Sequence, residues 1–104
     1  MTDVYTLGEA LGVVSSGRVR HETEARLDIC GPEFTLAVAL ARLGHRCAFA
    51  GKVGSDELGA RVLTVLRGEG VDVTDTRVTE GVPTGLLLRD ARVGREPLVT
   101  HYRA

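Results

Sequence analysis

Excess charge is the first thing this sequence lacks. Its 13 Lys and Arg stand against 14 Asp and Glu, a formal net charge of -1. Nucleic-acid binding draws on clustered surplus basic residues, so no nucleic-acid partner is expected. Cysteine is scarce as well: Cys30 and Cys47 form no CxxC pair and no metal-ligand spacing. They fit thiols buried as small core residues in a reducing, cytoplasmic setting, and no metal site is expected. A long hydrophobic run is also missing. The longest, around Phe34 to Ala41, falls far below the roughly 20 residues of a membrane-spanning helix. The amino terminus carries Asp3 and Glu9 and no basic segment leading into an apolar one, which argues against a signal peptide. There is no repeat of fixed period and no low-complexity tract. What remains is 104 residues, 43% hydrophobic and 26% charged. That is globular composition, with room for one small domain or part of a larger one.

Glycine, by contrast, stands at every joint between residues 31 and 59. Gly31-Pro32 opens a helix, since proline suits a first helical position where its missing N–H would be unpaired anyway. Glu33 follows in the first turn, where the helix dipole favours an anion. Leu36, Leu40 and Leu43 recur at helical spacing, and Gly44 supplies a stop. Arg46 to Val53 is a short, mostly apolar run of the kind expected for a buried parallel strand. After Gly54, Ser55 or Asp56 is placed to cap a second helix. Leu58, Val62, Val65 and Leu66 mark its apolar stripe, and Gly68 its end.

The flanks complete an α/β pattern. Val4 to Leu11 reads as a first strand, and Val71 to Val73 as a short strand or extended connector after the second helix. Strand, helix, strand, helix, strand with short joints predicts a parallel sheet with right-handed crossovers. Arg18 to Ile29 alternates loosely with period two after the Ser15-Ser16-Gly17 turn, which predicts a half-exposed antiparallel hairpin over 15–29. Thr84 to Arg89 and Leu98 to Arg103 are two further β-like runs, joined by an exposed hairpin loop around Gly94. Two nucleotide-binding motifs are absent. Gly51-Lys52 is no P-loop, because six residues separate it from Gly44 and Val53 replaces the Ser or Thr that would meet Mg²⁺. No dinucleotide fingerprint is present either.

The run Ala39-Leu40-Ala41-Arg42-Leu43-Gly44, then Gly51-Lys52-Val53-Gly54-Ser55-Asp56-Glu57-Leu58-Gly59, resembles the pfkB (ribokinase-like) carbohydrate kinases. Gly31, Glu69-Gly70-Val71-Asp72-Val73 and Pro83-Thr84-Gly85 match the same pattern, and Leu7-Gly8-Glu9-Ala10-Leu11 resembles the 2-keto-3-deoxygluconate kinase branch. The resemblance implies part of a doubly wound parallel sheet with a small β-sheet lid. The core would comprise 1–14 and 30–82, and the lid segments 15–29 and 83–104. It implies phosphoryl transfer from ATP with Mg²⁺ to a sugar or sugar-acid hydroxyl. It also implies that the base, the Gly-x-Gly-Asp motif and the ATP site lie in a second half, so this amino-terminal portion is expected to bind substrate and to be inactive alone. A homodimer through the lid strands is a further implication.

Four substrate contacts follow from the same resemblance. Gly31 matches the second glycine of the family's substrate loop, and Thr35 stands where the family has asparagine. His101 stands where the ketodeoxygluconate branch has tyrosine, with an exposed strand residue as an equal alternative, and Arg103 matches the branch's arginine. Arg103 suits a carboxylate because a guanidinium grips one with two parallel hydrogen bonds, although an exposed strand charge is an equal alternative. The chain departs from the family at Val13, where ribokinases carry a sugar-binding aspartate, at Cys30 for the first glycine of the loop, and at Leu87 for a tyrosine. Fructokinase-like or ribokinase-like chemistry is the alternative within the class. A non-catalytic interaction module or a truncated remnant is the alternative outside it.

Overall fold

The computed structural model describes residues 2–90 and 96–102. Two sheets share the chain. The first is parallel and holds β1 (Val4–Leu7), β4 (Cys47–Gly54) and β5 (Thr76–Thr79) in the order β1-β4-β5. The second is mixed and holds β2 (Leu11–Ser16), β3 (Arg26–Cys30), β6 (Leu86–Asp90) and β7 (Leu98–Tyr102) in the order β3-β2-β6-β7. Helix α1 (Pro32–Arg42) packs on β1 and β4, and α2 (Glu57–Gly68) on β4 and β2. The expected architecture, a parallel sheet with crossover helices and a small second sheet as lid, is the one observed.

Strand β4 is the axis of the core. Cys47, Ala48, Phe49 and Ala50 are all buried in succession, as a parallel strand covered on both faces requires. Phe34 and Ala37 from α1 and Val62 and Leu66 from α2 close around Phe49 and Val53. Both helices end alike. Gly44 and Gly70 take positive φ (95° and 79°), and the following amides of His45 and Val71 bond back to the carbonyls of Leu40 and Leu66. This is the Schellman arrangement, which satisfies carbonyls left over at a helix end. The stop of α2 is therefore Gly70, and Gly68 remains helical.

Two expectations are corrected. Residues 4–11 are two strands in two sheets, not one. After Leu7, the Gly8 amide bonds to the Ala50 carbonyl, the chain leaves the first sheet, and buried Leu11 and Gly12 begin the second. The lid sheet thus begins at Leu11 rather than Ser15. Second, the hairpin pairs β3 with β2, Leu11 opposite Cys30 and Ser15 opposite Arg26, so residues 17–25 form its connection rather than a strand. Of the two readings of Val71 to Val73, the extended connector is the one observed, with an isolated bridge between Asp72 and Ala48. The Asp72 carboxylate accepts from both the amide (2.9 Å) and hydroxyl (2.6 Å) of Thr74, a local turn that interrupts pairing until β5. The leucine spacing of α1 does mark a helix, in which Leu36 is 50% and Leu43 75% exposed while Phe34 and Ala37 are buried.

The lid is closed by non-local pairing. β2 runs parallel to β6, with Gly12 opposite Leu86 and Ser16 opposite Asp90. β7 then pairs antiparallel to β6, with Leu87 opposite His101. The predicted hairpin loop at 91–95 lies outside the described residues. No helix among the described residues is long and apolar enough to cross a membrane.

Candidate functional site

The carboxyl ends of β1 and β4 point toward the lid, and a cleft of about 690 Å³ opens where β1 ends, β3 passes into α1, and β6 and β7 cross over. Ligand crevices in open α/β sheets lie outside the carboxyl ends of the strands. Gly31, Glu33, Leu87 and His101 line this cleft, with Gly8, Glu9 and Cys30 beside them. Two of the four residues expected from sequence, Gly31 and His101, are therefore brought together from positions 70 apart in the chain.

Gly31 has φ 133° and ψ 130° at the N-cap of α1, a conformation L side chains rarely adopt. A Cβ there would overlap the carbonyl oxygen of Glu9. The glycine is thus required by the protein itself, because the β1–β2 connection crosses directly over the start of α1. The same crossing makes Gly31 part of the cleft wall. Thr35 lies one turn up α1, is exposed, and does not line the cleft; its amide bonds to the Gly31 carbonyl at 2.9 Å. Arg103 lies outside the described residues. Leu87, where a tyrosine was the family expectation, does line the cleft.

The charge of the described lining is acidic. Glu9 and Glu33 face it, with His101 the basic side chain among the described residues there. Burial and then the Glu9 charge push the Cys30 thiol up from its ordinary value, which favours the protonated form over the reactive thiolate. Cys47 is buried in the core and raised for the same first reason.

A second constellation fixes the lid to the core. Asp56, the N-cap of α2, accepts from the Gly59 amide at 2.7 Å, as expected of a capping aspartate. The same oxygen accepts from the Thr84 hydroxyl at 2.6 Å, and the other carboxylate oxygen from the Thr84 amide at 2.8 Å. The Thr84 hydroxyl in turn accepts from the Gly54 amide at 2.8 Å. Thr84 is only 6% exposed and leads directly into β6. The Thr84 hydroxyl above all, then its amide, holds the Asp56 carboxyl below its usual range. Gly54 and Gly59 admit this knot: a Cβ at either would run into backbone, that of Val82 and Thr84 for Gly54 and that of Gly54 for Gly59. On the far side, Arg61 of α2 donates to the Leu27 carbonyl of β3 at 3.1 Å. Sequence reasoning found the cap but missed Thr84, whose partner lies 28 residues away.

Neither ATP nor Mg²⁺ fits the residues described. Gly51-Lys52-Val53-Gly54 is extended within β4, not a loop wrapped around phosphate, and no group of three ligating side chains able to hold a metal ion occurs among the described residues. No step is therefore derived through either.

A family model described as pfkB family carbohydrate kinase matches residues 1–104. The 2-dehydro-3-deoxygluconokinase of Bacillus subtilis (strain 168) is 37% identical over 105 residues, covering 97% of this chain and 32% of that protein. The fructokinase of Escherichia coli is 39% identical over 89 residues, covering 84% of this chain and 27% of the relative. Among solved structures, a PfkB protein from Polaromonas sp. JS666 superposes with a TM-score of 0.90 at 28% identity, over 99% of this chain and 35% of its own. A sugar kinase from Pyrococcus horikoshii, solved in complex with ATP, superposes with a TM-score of 0.86 at 25% identity, over 95% of this chain and 33% of its own. The chain spans about a third of the length of the relatives it matches.

Proposed function

The chain belongs to the pfkB family of carbohydrate kinases, and we propose that it forms the substrate-binding part of an enzyme that phosphorylates a sugar or sugar-acid hydroxyl with ATP. The observation that carries this is the cleft between the parallel sheet and the lid, walled by Gly31 and His101. Substrate binding is the share of the reaction these residues supply; the acceptor base and the nucleotide site fall to other residues of the kinase. Phosphoryl transfer depends chiefly on positioning and charge stabilisation, so a cleft that fixes the acceptor hydroxyl is a distinct and necessary contribution.

Gly31 provides the close backbone approach, and His101 a ring nitrogen for a hydroxyl or an acid group. Arg103 is the proposed carboxylate grip; Thr35, one turn up α1 and outside the cleft lining, would reach only a ligand that extends beyond the cleft. The relatives' names point to two ligands, 2-dehydro-3-deoxygluconate (2-keto-3-deoxygluconate) and fructose. Isothermal titration of the chain with each supplies the test. Saturable heat at millimolar ligand with either one supports the proposal. Flat titrations with both sink it.

A second role has its own support. β3 and β7 are the outer strands of the lid sheet, and Leu98, Val99 and Tyr102 of β7 are exposed. Exposed apolar edge strands are templates for pairing, so two copies are proposed to join through the lid. Sedimentation equilibrium checks it: a mass of 11.1 kDa at all concentrations rules the dimer out.

A further inference from the structure

Glu33 is the second residue of α1, yet its side chain does not extend away from the protein. It folds back over the end of β1, where its carboxyl carbon and Oε2 occupy the space that any side chain at position 8 would fill. Gly8 is thus the residue that leaves room for a carboxylate at the cleft. That carboxylate borders the cleft beside Gly31 and opposite Leu87 and His101 of the lid. Among the described residues, no hydrogen-bond donor and no cation engages it.

A half-buried carboxylate with no protein donor keeps its acceptor oxygens available to water or to a ligand in the cleft. Carbohydrate hydroxyls are donors of the matching kind, and hydrogen bonds to an ionised acceptor are roughly twice as strong as neutral ones. The same charge repels an acid group on the ligand. Resting on the assignment of this cleft to the carbohydrate, we propose that Glu33 accepts a hydrogen bond from a substrate hydroxyl. The ligand then lies with its hydroxyl-bearing end at the start of α1 and any carboxylate turned away from it, and Gly8 is the positioning residue that keeps Glu33 in place.

The test is isothermal titration of the full chain with fructose and with 2-dehydro-3-deoxygluconate, for the wild type, Glu33→Ala, Glu33→Gln, Gly8→Ala and the double variant Gly8→Ala/Glu33→Ala. For whichever ligand the wild type binds, Glu33→Ala is expected to weaken binding about tenfold or more. Glu33→Gln, which keeps an acceptor oxygen and the shape of the side chain, weakens it less. Gly8→Ala drives the carboxyl group out and matches Glu33→Ala, and the double variant is no weaker than Glu33→Ala alone. Far-ultraviolet circular dichroism confirms that each variant is folded, and the near-isosteric Glu33→Gln keeps the test decisive if Gly8→Ala is not. Unchanged affinity in both Glu33 variants, with a wild type that binds, overturns this proposal alone. Additive losses in the double variant overturn the part assigned to Gly8. A wild type that binds neither sugar overturns the cleft assignment and this proposal with it.

Discussion

Replacing Asp56 by asparagine probes the tie between lid and core with almost no change of shape. One oxygen of Asp56 serves the Gly59 amide and the Thr84 hydroxyl, and the other serves the Thr84 amide. An asparagine keeps one oxygen. If that oxygen retains the first pair, its NH₂ group faces the Thr84 N–H, donor against donor, and a buried amide is left unpaired. An unsatisfied buried group costs about 1–3 kcal/mol. Asp56→Ala also removes the helix cap, about 1 kcal/mol more, for a total of about 2–4 kcal/mol. In a chain of this length each kcal/mol moves Tm by about 4–8 °C, so Asp56→Asn is expected to lower Tm by about 4–24 °C and Asp56→Ala by more. The partner side gives the matching comparison. Thr84→Ser keeps the hydroxyl and stays close to wild type, whereas Thr84→Val leaves the Gly54 amide without its acceptor and loses about 1–3 kcal/mol. Thermal and urea unfolding followed by circular dichroism measure all four. Equal stability of Thr84→Ser and Thr84→Val, or an Asp56→Asn loss below about 0.5 kcal/mol, would refute the reasoning.

Acid should weaken the same joint. Because the Asp56 carboxyl is held below its ordinary value in the folded chain, its stabilisation is complete above the unfolded value of about 4. It is lost as pH falls through the folded value, so the Tm gap between wild type and Asp56→Asn should close in that window; a gap that widens toward low pH contradicts it. Leu66→Ala, at a position 0% exposed, is expected to lose about 2–5 kcal/mol, while Leu43→Ala on the outer side of α1 loses under about 0.5 kcal/mol; urea midpoints decide whether α1 and α2 pack as described. Gly31→Ala meets both a disfavoured φ and the Glu9 carbonyl. It is expected to cost at least about 2 kcal/mol, read from the same unfolding curves.

The sequence carried its local features well. Glycine and proline at the joints of 31–59, the Asp56 cap and the unbroken apolar run of β4 are each decided within a few residues, so the helix–strand–helix centre was legible. The packed side of α1 was not. Phe34, Ala37, Val38, Leu40 and Ala41 pack on the core while Leu36 and Leu43 do not, and only contact with the sheet decides which apolar residues of α1 turn inward. Strand β5 was missed because Thr76-Arg77-Val78-Thr79 is a mostly polar edge strand, weak by any alternation rule, preceded by a side-chain turn at Asp72. At the cleft, Gly31 and His101 were legible through the family pattern. Gly8 and Glu33 were not paired, because the space that one leaves for the other is a property of the crossing backbones and has no signature in residue spacing.

The parallel pairing of β2 with β6 has a consequence for how the chain is made. Roughly 70 residues separate the partners, and a ribosome adding about 5–20 residues per second needs roughly 4–14 s to deliver the second after the first. During that interval β2 has only β3 beside it, and its other edge carries unpaired backbone groups. The nascent hairpin therefore outlives its own emergence by seconds before its neighbour exists, far longer than the microseconds in which a hairpin forms. The strongly charged strand waiting beside it, with Arg26 paired to Asp28 at 2.8 Å, places solubilising side chains on the segment that must wait. The lid sheet is completed only once β6 and β7 have followed β1, β4 and β5 out of the ribosome, so the core strands are made before the lid closes.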